Sequence, residues 1–97
     1  MGDAVEFIEK EIAGERAGAL ARAVEALEKA IVAFQEARGA LRQHLLEEAG
    51  ERLWFVVVQR EAVGLTRHEV LYETLRIPAE VRRVMGLAPR RAQVKRS

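Results

Sequence analysis

The chain has 97 residues, 16 basic against 15 acidic side chains, and no cysteine. A chain this short makes one domain and buries only about 60–65% of the surface it exposes when unfolded. Without cysteine, disulfides, Cys-ligated zinc and thiol nucleophiles are excluded.

Other absences narrow the field. Ser97 is the only serine, and Thr66 and Thr74 are the only threonines, so a Ser–His–acid arrangement has no material. The opening "MGDAVEFIEKEIAGE" is acidic and amphipathic, unlike a secretory leader, and no run approaches the ~20 apolar residues that span a bilayer. A cytoplasmic protein without membrane association is expected. Asn is absent, Asp occurs once, and Arg outnumbers Lys thirteen to three, as a heat-adapted source or a GC-rich genome would both produce. Charge is also unevenly spread. Residues 1–51 hold eleven acids and six bases (−5), and residues 52–97 hold four acids and ten bases (+6). Such polarity suits a basic partner-binding end, or halves that attract one another across subunits.

The first predicted helix runs from about Asp3, a plausible N-cap, to Arg38. Leu20, Val24, Leu27, Ile31 and Phe34 recur at spacings of four and three, the stripe of an amphipathic helix. Val5, Ile8 and Ile12 extend it in a shifted register. The slip falls in "AGERAGALA", where Gly14 and Gly18 mark either a kink or, the preferred reading, close approach of another backbone. Gly39 is the expected helix-ending residue, and a second helix from Ala40 to Val63 closes an antiparallel hairpin. Pairing around Gly39 sets Leu45 near Phe34, Ala49 near Ile31, Leu53 near Leu27 and Val56 near Val24.

Within that second helix "LWFVVV" has a strand-like composition, but Leu45, Ala49, Leu53, Val56 and Val63 keep the helical period through it. At 100° per residue the block Leu53–Val58 is apolar on every side. A hairpin covers one side only, so other helices or a second subunit must cover the rest. Trp54, Phe55, Val56 and Val58 are therefore the candidate oligomer interface.

Gly64 closes the second helix. Thr66, with Glu69 as its capping-box partner, is expected to start a short third helix ending near Leu75. Pro78 opens a fourth that ends at Gly86. These two basic helices are the natural cover for the acidic N-terminal third of the first helix. The fold expected is all-α: a long antiparallel hairpin plus two short C-terminal helices in one domain over residues 1–87, with a basic tail, 88–97, outside it. Its thin, Ala-rich core predicts a homodimer resembling a four-helix bundle.

Three groups of side chains are candidates for function. Arg60 points to the core side and needs a carboxylate, for which Glu15 is in register; Gln59, Glu61, His68 and Tyr72 gather around it. Such a cluster serves as a structural network, a small-ligand site or an acid–base pair; the structural network is the preferred reading, and no catalytic residue is assigned. His44, Glu48 and Glu51 share a helical face, but lack the Glu-x-x-His pattern of carboxylate-bridged metal bundles and read as solvated charge; no metal or cofactor is expected. Arg82, Arg83, Arg90, Arg91, Lys95 and Arg96 form a basic run without an acid, able to hold phosphates weakly. "HEVLYETLRIPAEVRRVM" has the outline of a helix-turn-helix. Tyr72 is large where a tight crossing wants Ala or Gly, Arg76 replaces the turn glycine, and the interval from Pro78 to Val81 is about one residue short.

The stretch "LWFVVVQREAVGLTRHE", with "EIAGERAGALARA" before it and "IPAEVRRVMG" after it, resembles a family of short bacterial proteins of unknown function, over roughly residues 6–87. The resemblance implies an all-α fold and brings no activity, substrate or cofactor. It marks Trp54, Gln59, Arg60, Glu61, Gly64 and His68. The expected role is a non-catalytic, homo-oligomeric interaction or structural protein. A nucleic-acid accessory role through the basic end ranks second, and a ligand-binding or catalytic role at Arg60/His68 third.

Overall fold

The computed structural model describes residues 15–87, with side chains from Gly18 onward. Among them are four helices and no strand: α1 (Glu15–Glu36), α2 (Gly39–Ala62), α3 (Glu69–Leu75) and α4 (Ala79–Met85). The Asp3 cap, the Val5/Ile8/Ile12 stripe, Gly14 and the tail 88–97 lie outside the described residues.

The α1–α2 hairpin follows from the periodicity. Leu20, Val24, Leu27, Ile31 and Phe34 of α1 are all buried and share one core with Leu46, Ala49, Leu53 and Val56 of α2. Burying each large side chain contributes about 1.5–3 kcal/mol. The connection is two residues long, and Gly39 takes φ +65°, a left-handed geometry that costs glycine little. The strand-like run is helical throughout. One detail of the stripe differs: Leu46 is buried, whereas Leu45 reaches the core only in part. The buried arc of α2 is turned toward Gly50 because a second helix packs there.

That helix is α4, which crosses α2; the N-terminal third of the first predicted helix, expected to be covered by α3 and α4, lies outside the described residues. A Cβ on Gly50 would lie 2.6 Å from Val84 Cγ2 and 3.3 Å from the Met85 nitrogen. A close backbone approach is thus found at Gly50; among the described residues a Cβ on Gly18 would meet the Arg22 guanidinium, at an ordinary 3.5 Å. Leu71, Ile77 and Val81 carry α3, the following turn and α4 into the core of the hairpin. At the hairpin's closed end Arg42 joins three elements. Its guanidinium lies 4.5 Å above the Phe34 ring and is forked onto Glu80, at 3.0 and 3.4 Å. Both charged side chains are about two-fifths exposed, so the ion pair itself contributes on the order of 0–1 kcal/mol; the stacking adds packing.

Two helix ends use the same turn. At α2, Gly64 takes φ +90°, its N–H bonds the Glu61 carbonyl, and the Leu65 N–H reaches back to Arg60. At α3, the Arg76 N–H bonds Glu73 and the Ile77 N–H bonds Tyr72. Both are Schellman motifs, and in each the residue after the left-handed one is apolar and turned toward the core. Arg76, however, sits at φ 52°, ψ 51° without glycine's freedom, which costs about 1–2 kcal/mol.

The start of α3 also departs from expectation. The helix begins at Glu69, with His68 in the capping position and no side-chain cap, while Thr66 is exposed. Leu65 is held against the core and the Arg67 carbonyl accepts from Arg60 Nη2 at 3.0 Å. Residues 65–67 are thus tied down as a non-helical link, and a helix can begin only beyond them. Pro78 caps α4 instead of occupying its first turn, a shift of one residue.

Candidate functional site

The polar cluster forms around the C-terminal end of α2, divided into separate parts. Arg60 is 1% exposed, the only charged side chain so enclosed among the described residues. Its Nη2 donates to the Arg67 carbonyl, and its own carbonyl accepts from Val63 and Leu65. One residue thereby fixes both the end of α2 and the path of the link to α3. The carboxylate expected opposite it, Glu15, opens α1, but its side chain lies outside the described residues.

His68 turns toward α2. Its Nε2 is 3.1 Å from Glu61 Oε2, and its Nδ1 is enclosed with no hydrogen-bond partner among the described residues. With Nε2 protonated the ring donates to the carboxylate, pinning the start of α3 to the end of α2. Glu61 is more than half exposed, so the attraction is screened. Tyr72 does not join this pair: its ring lies beneath the Arg82 guanidinium, 5.2 Å away. Gln59 belongs to a third environment, an open groove of about 320 Å³ between the helices, lined with Ala19, Leu20, Ala62 and Val63. The groove's position, with Ala19 and Leu20 beside Gln59 and Val63, is the one the hairpin register requires. One amide in an apolar groove offers a single hydrogen-bonding handle for a ligand.

The predicted interface residues separate as well. Val56 is fully buried against α1 and belongs to the monomer's own core, so it is removed from the surface set. Trp54 is partly covered. Phe55 and Val58 remain 50% and 40% exposed, three residues apart on the outward side of α2. Ala62 extends that face, and the exposed His44 with the half-covered Glu48 and Glu51 continue it toward the helix start. No three acidic or histidine side chains among the described residues are grouped to hold a metal ion.

Of the basic set, Arg82 and Arg83 are exposed on α4; Arg90, Arg91, Lys95 and Arg96 lie outside the described residues. Sequence reasoning missed the Arg42–Phe34–Glu80 contact and the stacking of Arg82 on Tyr72. Nothing local signals a pair 38 residues apart. Gly50 could have been found, since a lone glycine inside a buried helical stripe costs about 1 kcal/mol unless something presses against it.

Fold and site together describe a small all-α protein: a helical hairpin with a two-helix C-terminal return and no described helix long and apolar enough to cross a membrane. A model of a family of unknown function, DUF6665, matches residues 2–93, and the chain belongs to that family. No curated protein and no solved structure matches it.

Proposed function

We propose that the protein is a non-catalytic, cytoplasmic interaction module that works as a homodimer through the outward face of α2. The observation that carries this reading is the exposure of Phe55 and Val58 on a helix whose other sides are already packed. Laid antiparallel about a two-fold axis between Val58 and Gln59, two copies of α2 set Phe55 of one over the small Ala62 of its partner. This makes a self-complementary contact, as a closed dimer requires. The two hairpins then form a bundle of four long helices, adding to a core that is small for a chain of this size. A structural reading of the polar cluster agrees with this: His68 Nε2 is engaged by Glu61 and Arg60 is enclosed, so both serve the junction of α2 and α3.

Sedimentation equilibrium tests the proposal. The unaltered protein should be dimeric at micromolar concentration, and Phe55→Glu with Val58→Glu should weaken association by about 100-fold or more while leaving helicity intact. A protein that stays monomeric at millimolar concentration would overturn it.

A further inference from the structure

The outward face of α4 lies apart from the dimer face. Val81 points into the core, Val84 meets Gly50, and Glu80 is taken by Arg42. What remains outward is Arg76 before the helix, Ala79, Arg82, Arg83 and Gly86 after it, all exposed and with no acid among them. Arg76, Arg82 and Arg83 form no ion pair among the described residues, although Glu69 and Glu73 stand exposed on adjacent α3. Two of the three are also held in place. Arg82 lies over the Tyr72 ring, and Arg76 is locked in a left-handed turn by the Ile77–Tyr72 hydrogen bond.

Arg76 is the informative one. Glycine occupies the matching position at the end of α2, with the same pair of hydrogen bonds. At Arg76 the strain is kept and a positive charge gained, and strained residues persist where their side chains are used. We propose that this face, Arg76 with Arg82 and Arg83, is a docking surface for the phosphate backbone of a nucleic acid. The chemistry favours that partner. All three are arginines, whose planar donor forks match phosphate oxygens in pairs. They stand on an open helix face, away from the groove beside Gln59, and so suit an extended polyanion more than a small enclosed anion. Contact of this kind reads charge and not sequence. The sequence has the same charge bias beyond the described residues, since 88–97 hold four bases and no acid.

The test uses the full-length protein and a fluorescently labelled oligouridylate, read by anisotropy across a salt series. Arg82→Gln with Arg83→Gln should lower the slope of log affinity against log salt by about 1.4, and weaken binding roughly tenfold at ~0.15 M salt. The Arg82→Lys, Arg83→Lys protein, which keeps the charges, should retain the slope. Arg76→Gly should weaken binding and at the same time raise the thermal midpoint, because it removes a charge and relieves the turn. Unchanged affinity and slope in the glutamine variant would overturn the proposal, as would absence of binding. Equal competition by polyglutamate would also overturn it, showing an acidic protein surface to be the partner. Sedimentation of the same variants should show the association state of the unaltered protein, since the dimer face is elsewhere.

Discussion

Within Leu53–Val58 the inward side chains Leu53 and Val56 have no exposed surface, whereas Phe55 and Val58, one turn round the same helix, stay about half exposed. The two sets are chemically alike. What separates them is the supply of neighbours: α1 covers one flank of α2, and α4 covers the next because Gly50 admits it. No described helix reaches the third. The comparison teaches that a fully apolar helical turn reports how many partners a helix needs, without naming them. Here two come from within the chain, and the proposed third is another copy.

The sharpest way to break the comparison is to put a carboxylate on each side in turn. Val56→Asp buries an unpaired charge in the core and should cost roughly 4 kcal/mol or more, comparable to the whole stability of a domain this size. Circular dichroism should show a largely unfolded chain. Phe55→Asp, one residue away, should change the stability of the monomer by no more than about 0.5 kcal/mol. Similar losses in the two variants would mean that the outward face is core as well.

A smaller effect tests the flank under α4. Gly50→Ala would gain up to about 1 kcal/mol of helix propensity, yet its Cβ meets the stiff Val84 side chain and two backbone atoms. We expect the steric term to win, with a net loss of about 1–2 kcal/mol by urea denaturation. Adding Val84→Ala should make the double variant more stable than the two single losses summed, because the two positions share one contact. A Gly50→Ala protein more stable than the parent would show the crossing to be looser than described.

These contrasts also show what was legible in the sequence. The hairpin and its register followed from a 3.6-residue period, since burial of one stripe is a property of each helix alone. Arg60's burial followed from the same wheel, and Gly64's role from local turn chemistry. The choice of Leu46 over Leu45, the crossing at Gly50 and the Arg42–Glu80 pair depend on where a helix 30 to 40 residues away comes to rest. No local pattern carries that information. Thr66 illustrates the converse: its capping signature is genuine, but Arg60 and Leu65 hold the chain out of helical geometry at that point, and tertiary contact overrides the local preference. For the polar cluster, the sequence gathered Gln59, Arg60, Glu61, His68 and Tyr72 but could not divide them among a helix junction, a groove and the Tyr72–Arg82 stack.

The smallest expected effect lies on α1, where Glu28 is partly covered and its Oε1 is enclosed without a hydrogen-bond partner among the described residues. Burial, the largest influence on it, raises its pKa above the ordinary 4.5. A carboxyl raised in the folded state holds its proton more tightly there than in the unfolded chain. Its contribution is therefore most favourable at pH below the unfolded value and declines as pH rises through the folded one. Glu28→Gln removes the charge but keeps the shape. At pH 7 it should raise the thermal midpoint slightly, by the equivalent of about 0.5 kcal/mol or less. Near pH 3, where the native carboxyl is already neutral, the two proteins should melt together. A glutamine variant that melts lower at pH 7 would mean that the carboxylate, for all its coverage, is stabilised by a charge partner on the folded chain.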